Sequence, residues 1–213
     1  MIPRRGLCLV LAGPSGGGKS SVARALRETD PALSVSVSVT TRPARPNERD
    51  GVDYHFRDQA GFEALRAAGE LLEWARVLGR YFYATPRVPV EAALAAGRDM
   101  IFDIDWQGFR SLRAALPGDV IGVFLLPPSM AALEARLRAR GGDPEQEIGR
   151  RMARARDEIT HCGEFDHVLV NEEFDRTVAA TRAVLHAART ARPRLAGLQA
   201  FCDGLTTGAP ASN

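Results

Sequence analysis

Apolar positions fall into two kinds of run along this chain. Residues 7–12 are apolar at every position, the pattern of a parallel strand covered on both faces. Residues 33–39, 99–104, 120–126 and 167–170 read as further strands, and the alternation from Val35 to Val39 suits a sheet edge. Between them, apolar residues recur at helical spacing over 60–68, 88–96, 130–139, 145–159 and 175–188. Another helix follows Ser20, with Val22, Ala25 and Leu26 on one side and Arg24, Arg27 and Glu28 on others. Strands alternating with helices predict an α/β domain built on a parallel sheet. Periodicity fades among the Gly, Pro, Thr, Ala and Ser of the last residues, so 191–213 is expected to be a weakly ordered tail.

The break between the first strand and its helix carries the first chemistry. Gly13, Pro14, Ser15, Gly16, Gly17, Gly18, Lys19 and Ser20 fit G-x-x-x-x-G-K-[ST], with Ser21 opening the helix beyond. Glycines let successive backbone N–H groups turn inward around a polyphosphate, where side chains would block the approach. Lys19 adds a point charge, the Ser20 hydroxyl suits Mg²⁺, and the helix N-terminus adds its dipole. A glycine turn with no ligand is the alternative, but eight matching positions between a strand and a helix weigh against it. The expected occupant is a nucleoside triphosphate.

Composition narrows the class. The 213 residues carry 28 basic and 26 acidic side chains, a net charge of +2, so no global field calls for a nucleic-acid or membrane partner. Cys8, Cys162 and Cys202 lack C-x-x-C spacing and fit neither a disulfide framework nor a zinc site, which points to a reducing, cytoplasmic setting. The first apolar run stops at Gly13 and Pro14, too short for a membrane span or signal segment. His55, His161, His167 and His186 show no ligand spacing.

Two further segments offer polar chemistry. Ser38, Arg42, Arg45 and Tyr54 stand among turn residues and could surround a second phosphate with bidentate donors, or form a solvated basic loop. Asp103 and Asp105 end an apolar strand, where ligands of open α/β sheets gather, and Asp105 equally suits a cap for the next helix. Glu73 beside Trp74, read alone, looks like a surface helix residue.

Together "GPSGGGKS", "SVSVTTRPARPNERDGVDY", "LLEWA", "DIDWQG", "PPSMAALEARLRARG" and "EFDHVLVN" resemble the bacterial guanylate kinases, in order and at closely similar spacing over 7–186. The resemblance implies a P-loop NTPase fold with a parallel-sheet core over 1–34, 90–126 and 158–190. It implies an inserted GMP-binding domain over 35–89 and a helical lid over 127–157. The implied reaction moves the γ-phosphoryl of ATP to GMP or dGMP in purine nucleotide metabolism, with Mg²⁺ as cofactor and the chain a monomer or homodimer. Donor contacts fall on Gly13 through Ser21, Arg140 and Asn171, although Asn171 also reads as a plain turn residue. Acceptor contacts fall on Ser38, Arg42, Arg45, Tyr54, Glu73, Tyr83, Thr85 and Asp103. Lys19, Arg42, Arg140 and Arg151 are the implied catalytic groups, and Ser20, with Asp103 as a second ligand, the implied metal site. The role of Glu73 agrees with chemistry: guanine offers N1–H and N2–H₂ side by side to one carboxylate, and adenine offers no such pair. Two rivals remain open, a ribose 1,5-bisphosphate phosphokinase of the same fold and a non-catalytic guanylate-kinase-like interaction module. Glu73 with its phosphate group opposes the first, and Lys19 with Ser20 opposes the second.

Two positions depart from the family. Asn47 replaces a glycine, a substitution that a positive φ tolerates. In "GRYFYATPR" a gap-free alignment would put Phe82 and Ala84 where two hydroxyls belong, whereas one inserted residue gives Tyr83 and Thr85. The thirty residues from Glu73 to Asp103 are one more than the family separation and favour the insertion, with Tyr81 or Phe82 bulged and Ala84 straining a turn if it needs positive φ.

Overall fold

The computed structural model describes residues 2–77, 80–141 and 144–207. Five strands form one all-parallel sheet: β1 (Cys8–Ala12), β2 (Leu33–Val35), β7 (Asp99–Asp103), β8 (Val120–Leu126) and β9 (His167–Val170), in the order β2-β7-β1-β8-β9. Strand β1 is central and buried throughout, and its side chains alternate between two cores. Cys8, Val10 and Ala12 join Val90, Leu94, Phe109 and Leu112, which come from α3 (Arg87–Ala95) and α4 (Trp106–Ala115). Leu9 and Leu11 join Val22, Leu26, Val178 and Leu185 from α1 (Lys19–Thr29) and α7 (Phe174–Thr190). A run apolar at every position is therefore what a strand with helices on both faces requires. Burial also pushes the Cys8 thiol up to about 12, so it is inert at neutral pH.

A second sheet, ordered β4-β3-β6-β5, is built from β3 (Val39–Thr40), β4 (His55–Phe56), β5 (Leu71–Val77) and β6 (Tyr81–Pro86), with α2 (Gln59–Ala67) packed on one side. The stretch 33–39 is thus not one strand: β2 ends at Val35 in the first sheet and β3 begins at Val39 in the second. The β5–β6 hairpin pairs Glu73 with Thr85, Trp74 with Ala84, Ala75 with Tyr83 and Arg76 with Phe82 without a break. No bulge falls at Tyr81 or Phe82; the irregularity lies between Leu71 and Glu73 instead. Ala84 is not in a turn but in mid-strand, paired on both sides, with Trp74 and with Val39.

Helices α5 (Met130–Arg140) and α6 (Glu145–Thr160) pack on each other through Leu133, Leu137, Ile148, Met152 and Ala155. Ser129 caps α5 by accepting the Ala132 N–H at 3.0 Å. The segment expected to be a weakly ordered tail carries a 3-10 turn at Arg192–Arg194 and a helix, α8 (Leu198–Thr207). Arg194 is buried and donates to the Gly6 and Gly118 carbonyls at 3.1 and 2.7 Å, so the turn is tied to the core; 208–213 lie outside the described residues. Among the described residues no helix is long and apolar enough to cross a membrane.

Candidate functional site

The glycine-rich turn lies where the C-terminal end of β1 meets α1, and two glycines show why the sequence is so constrained. A side chain at Gly13 would meet the Leu125 carbonyl oxygen at 2.3 Å, and one at Gly18 would meet Asn171 Nδ2 at 2.3 Å; both have positive φ. Only glycine fits both demands. Lys19 Nζ donates to the Gly13 carbonyl at 2.7 Å and stands 4.0 Å from Asp103 Oδ1. The Ser20 hydroxyl donates to Asp103 Oδ2, so a hydroxyl and a carboxylate are paired at the end of β7 beside the loop. Ser15 accepts from Arg151 Nη1 at 3.3 Å, which brings an arginine of α6 onto the loop.

Asn171 is buried and braces the loop from behind. Its Nδ2 donates to the Gly17 carbonyl at 2.8 Å, its backbone N–H to Leu126 at 2.8 Å, and its own carbonyl accepts from Arg136 Nη2 at 2.8 Å. Its amide therefore shapes the loop in this structure, rather than ending as a simple turn residue. Arg136 was not singled out by sequence reasoning, because it is one of many arginines in the segment; its Nη1 is buried without a hydrogen-bond partner.

A cleft of about 520 Å³ opens beside the loop, lined by Gly13, Ser15, Lys19, Asp103, Asp105 and Arg151 together with further residues of α6. Arg140 ends α5, exposed, and is not one of the lining residues.

Across the cleft, Glu73 is not on a helix but on β5, 7% exposed, and its Oε1 accepts from Thr85 Oγ1 at 2.6 Å. Burial pushes its carboxyl above the usual range; the Thr85 bond opposes that and the Asp105 charge adds to it. Asp105 is the N-cap of α4, accepting from Gly108 N–H at 3.0 Å. Gly108 comes so close to the pocket that a Cβ there would lie 3.3 Å from Glu73 Oε2. The capping reading of Asp105 thus holds, and the cap also borders the cleft.

Strand alternation puts Tyr83 and Thr85 on the Glu73 face of β6, while Phe82 stacks on Phe62 with centroids 4.9 Å apart on the other. Tyr83 meets Tyr54 edge-on at 6.0 Å, and Arg42 lies over the Tyr54 ring at 5.3 Å. Glu48, not anticipated from sequence, holds Arg42 Nη2 at 2.8 Å and raises the arginine pKa further above its ordinary value, with Tyr83 contributing. Arg45 is left out of this group: its side chain is 73% exposed and reaches Glu48 only at 3.9 Å. Ser38 is half-buried and accepts the His55 N–H through its carbonyl at 2.8 Å. The arrangement offers a polyphosphate cradle on one side, and on the other a cationic and hydroxyl group next to a buried carboxylate.

The family profile described as "Guanylate kinase" matches residues 5–188. A guanylate kinase of Gluconobacter oxydans (strain 621H) is 58% identical over 193 residues, 91% of this chain and 92% of that protein. One of Granulibacter bethesdensis is 55% identical over 202 residues, 95% of this chain and 94% of that protein. The crystal structure of guanylate kinase from Anaplasma phagocytophilum superposes with a TM-score of 0.76 at 32% identity, covering 100% of both chains.

Proposed function

Because the chain belongs to the guanylate kinase family and phosphorylates GMP with ATP, we propose that ATP lies on the residue 13–21 loop and GMP lies against Glu73. The observation that carries the acceptor assignment is the buried Glu73 carboxylate held by Thr85, with Tyr83, Tyr54 and Arg42 on the same side of the second sheet. Guanine N1–H and N2–H₂ meet that carboxylate, while Arg42 and the tyrosine hydroxyls take the acceptor phosphate. Ser38 and Arg45 border the phosphate end, and Arg45 reaches it by rotating its exposed side chain.

Ser20 and Asp103 would hold Mg²⁺, since a paired hydroxyl and carboxylate are the hard oxygen donors it prefers. Among the described residues no cluster of three or more His, Cys, Asp or Glu could enclose a metal ion, which suits an ion held mainly by phosphates and water. When bound, the ion neutralises phosphate charge between donor and acceptor. Lys19 exchanges its loop carbonyls for phosphate oxygens and stabilises charge on the transferring group. Arg151, already at Ser15, and Arg140 close over the donor with the lid and exclude water that would hydrolyse it. Asn171 supports the donor through the loop backbone.

A coupled ADP-release assay across GMP, dGMP, AMP, UMP and ribose 1,5-bisphosphate tests this reading. GMP and dGMP are expected to turn over best. Preference for AMP or for the sugar phosphate would overturn the assignment of Glu73.

A further inference from the structure

Helix α6 turns one stripe toward the cleft. Glu147, Arg151, Arg154 and Glu158 all line it, three or four residues apart and so on a shared helix face. His161, which caps the helix, continues the stripe and stacks on Trp106 of α4 with centroids 3.6 Å apart. Two of the three arginines that line the cleft have different partners. Arg151 Nη1 meets Ser15 of the phosphate loop at 3.3 Å, whereas Arg154 donates Nε to Glu158 Oε1 at 2.8 Å and presents Nη2 to Asp105 Oδ2 at 3.6 Å. Asp105 in turn caps α4 through Gly108, which abuts Glu73. A line of contacts therefore runs from the lid helix, through Arg154 and Asp105, to the carboxylate of the acceptor pocket.

We propose that Arg154 is a positioning residue that couples the acceptor pocket to the lid, so that filling the pocket beside Glu73 favours closure of α6 over the donor, and the reverse. The proposal rests on the reading that this pocket takes GMP.

Stability does not explain the residue. Its side chain is 61% exposed, and ion pairs at such sites contribute little to stability. Geometry does explain it. Glu158, itself only 8% exposed, holds the Nε edge and thereby aims the planar guanidinium at Asp105. At 3.6 Å the Asp105 contact is an ion pair too long for a hydrogen bond, and an approach of about 0.7 Å would bring it to the ordinary N–H···O length. It is poised to tighten as the helix advances. Charge acts in the same sense: the Asp105 carboxylate opposes ionisation of Glu73, and a cation held on Asp105 relieves that opposition. Guanine needs Glu73 ionised. Coupling of this kind is reciprocal, so it can be read from either nucleotide.

The test measures, by calorimetry on the full chain, the dissociation constant of adenylyl imidodiphosphate with and without saturating GMP. The ratio is the coupling, and in wild type it is expected to reach about fivefold or more. Arg154→Gln should cut the ratio at least about threefold while leaving the affinity for adenylyl imidodiphosphate alone within about twofold, and Arg154→Lys should restore part of it. Asp105→Asn, which can still cap α4, should cut the ratio too, and adding Arg154→Gln should then cut it no further. Arg156→Gln, outside the cleft stripe, should leave it unchanged. A wild-type ratio of one, or a wild-type ratio retained in Arg154→Gln, overturns the proposal. Glu73→Gln separates the premise: if that variant binds GMP as tightly as wild type, the acceptor reading falls and the coupling with it. If it weakens GMP while Arg154→Gln keeps its coupling, the coupling alone falls.

Discussion

Replacing Glu73 with glutamine separates what the acceptor pocket costs the fold from what it contributes to recognition. The carboxylate is 7% exposed, and the Thr85 hydroxyl donates to its Oε1 at 2.6 Å. Burial, with Asp105 adding to it, pushes the carboxyl pKa up, so ionised Glu73 opposes folding. Below the ordinary carboxylate value of about 4.3 the group is neutral in both folded and unfolded chains and the penalty vanishes; above the raised folded value it is full. Glutamine is neutral at every pH and its amide oxygen can keep the Thr85 bond. At pH 7 to 8 the variant should therefore be more stable than wild type by about 0.5–2 kcal/mol, the range of single stabilising substitutions. For a chain of this size each kcal/mol is ~2–4 °C in Tm. The gain should shrink as pH falls toward about 4, where Glu73 is protonated. Recognition goes the other way. The amide keeps one acceptor and turns an NH₂ toward guanine donors, losing a bond to a charged group worth ~1.5–3 kcal/mol. That predicts a fall of roughly 10- to 100-fold in kcat/KM for GMP with the ATP KM unmoved. Coupled ADP release and thermal melts at pH 8, 7, 5 and 4 check both halves. Unchanged GMP kinetics, or a variant that melts below wild type at pH 7, would refute the reasoning.

Lys19→Ala should fold and melt normally yet lose more than about 90% of kcat, a loss above ~1.4 kcal/mol, and a variant retaining more would remove Lys19 from phosphoryl transfer. Tyr83→Phe should raise the GMP KM by the loss of one charge-assisted bond, ~1.5–3 kcal/mol, and leave ATP binding alone. Phe82→Tyr, on the opposite face against Phe62, should give no gain in GMP affinity; if it tightened GMP while Tyr83→Phe was silent, Phe82 would be the true counterpart. Gly108→Ala should gain about 1 kcal/mol in helix propensity, but its methyl group would stand 3.3 Å from Glu73 Oε2 and 3.2 Å from Ile104 Cδ1, so steady-state kinetics should show a raised GMP KM.

The first sheet was legible because its strands obey one simple rule. Residues 7–12, 120–126 and 167–170 announced β1, β8 and β9 through continuous or near-continuous apolar runs, and the glycines after β1 announced a turn that excludes side chains. Helices α5 and α6 were legible for the complementary reason, since each buries one face on the other. The second sheet was not. Val35 and Val39 alternate as one strand would, yet they belong to different sheets, and period 2 carries no record of where a chain leaves one sheet for another. The 3-10 turn at Arg192–Arg194 was hidden because an arginine holds it: Arg194 is 6% exposed among carbonyl oxygens and the Asp119 carboxylate, where sequence reading expects solvent.

The same inversion explains why "LLEWA" misled on its secondary structure while its resemblance pointed to a site. Hydrophobic patterning takes charge as a mark of solvent and an aromatic ring as a mark of core, but here Trp74 is 44% exposed beneath Arg66 and Glu73 is buried. With the two roles exchanged, the residues cannot report which face of β5 is inward, so the strand needs its register fixed from elsewhere. Strand β3 and Thr41 just after it supply it. Thr40 Oγ1 donates to the Phe82 carbonyl at 3.0 Å, Thr41 Oγ1 accepts the Phe82 N–H at 2.9 Å, and the Thr41 N–H donates to the same carbonyl at 3.1 Å. Three bonds on one residue pin β6 where a slip by one position would be most damaging. Such a slip would carry Tyr83 and Thr85 to the Phe62 side and swing Phe82 toward Glu73, replacing both hydroxyls with an apolar ring and leaving the carboxylate unbonded in a buried setting. The two threonines are therefore part of what makes the pocket polar, and Thr40 lies opposite Tyr83 on its face of the sheet. Their signal in the sequence, a T-T pair after an alternating run, is the ordinary composition of a strand.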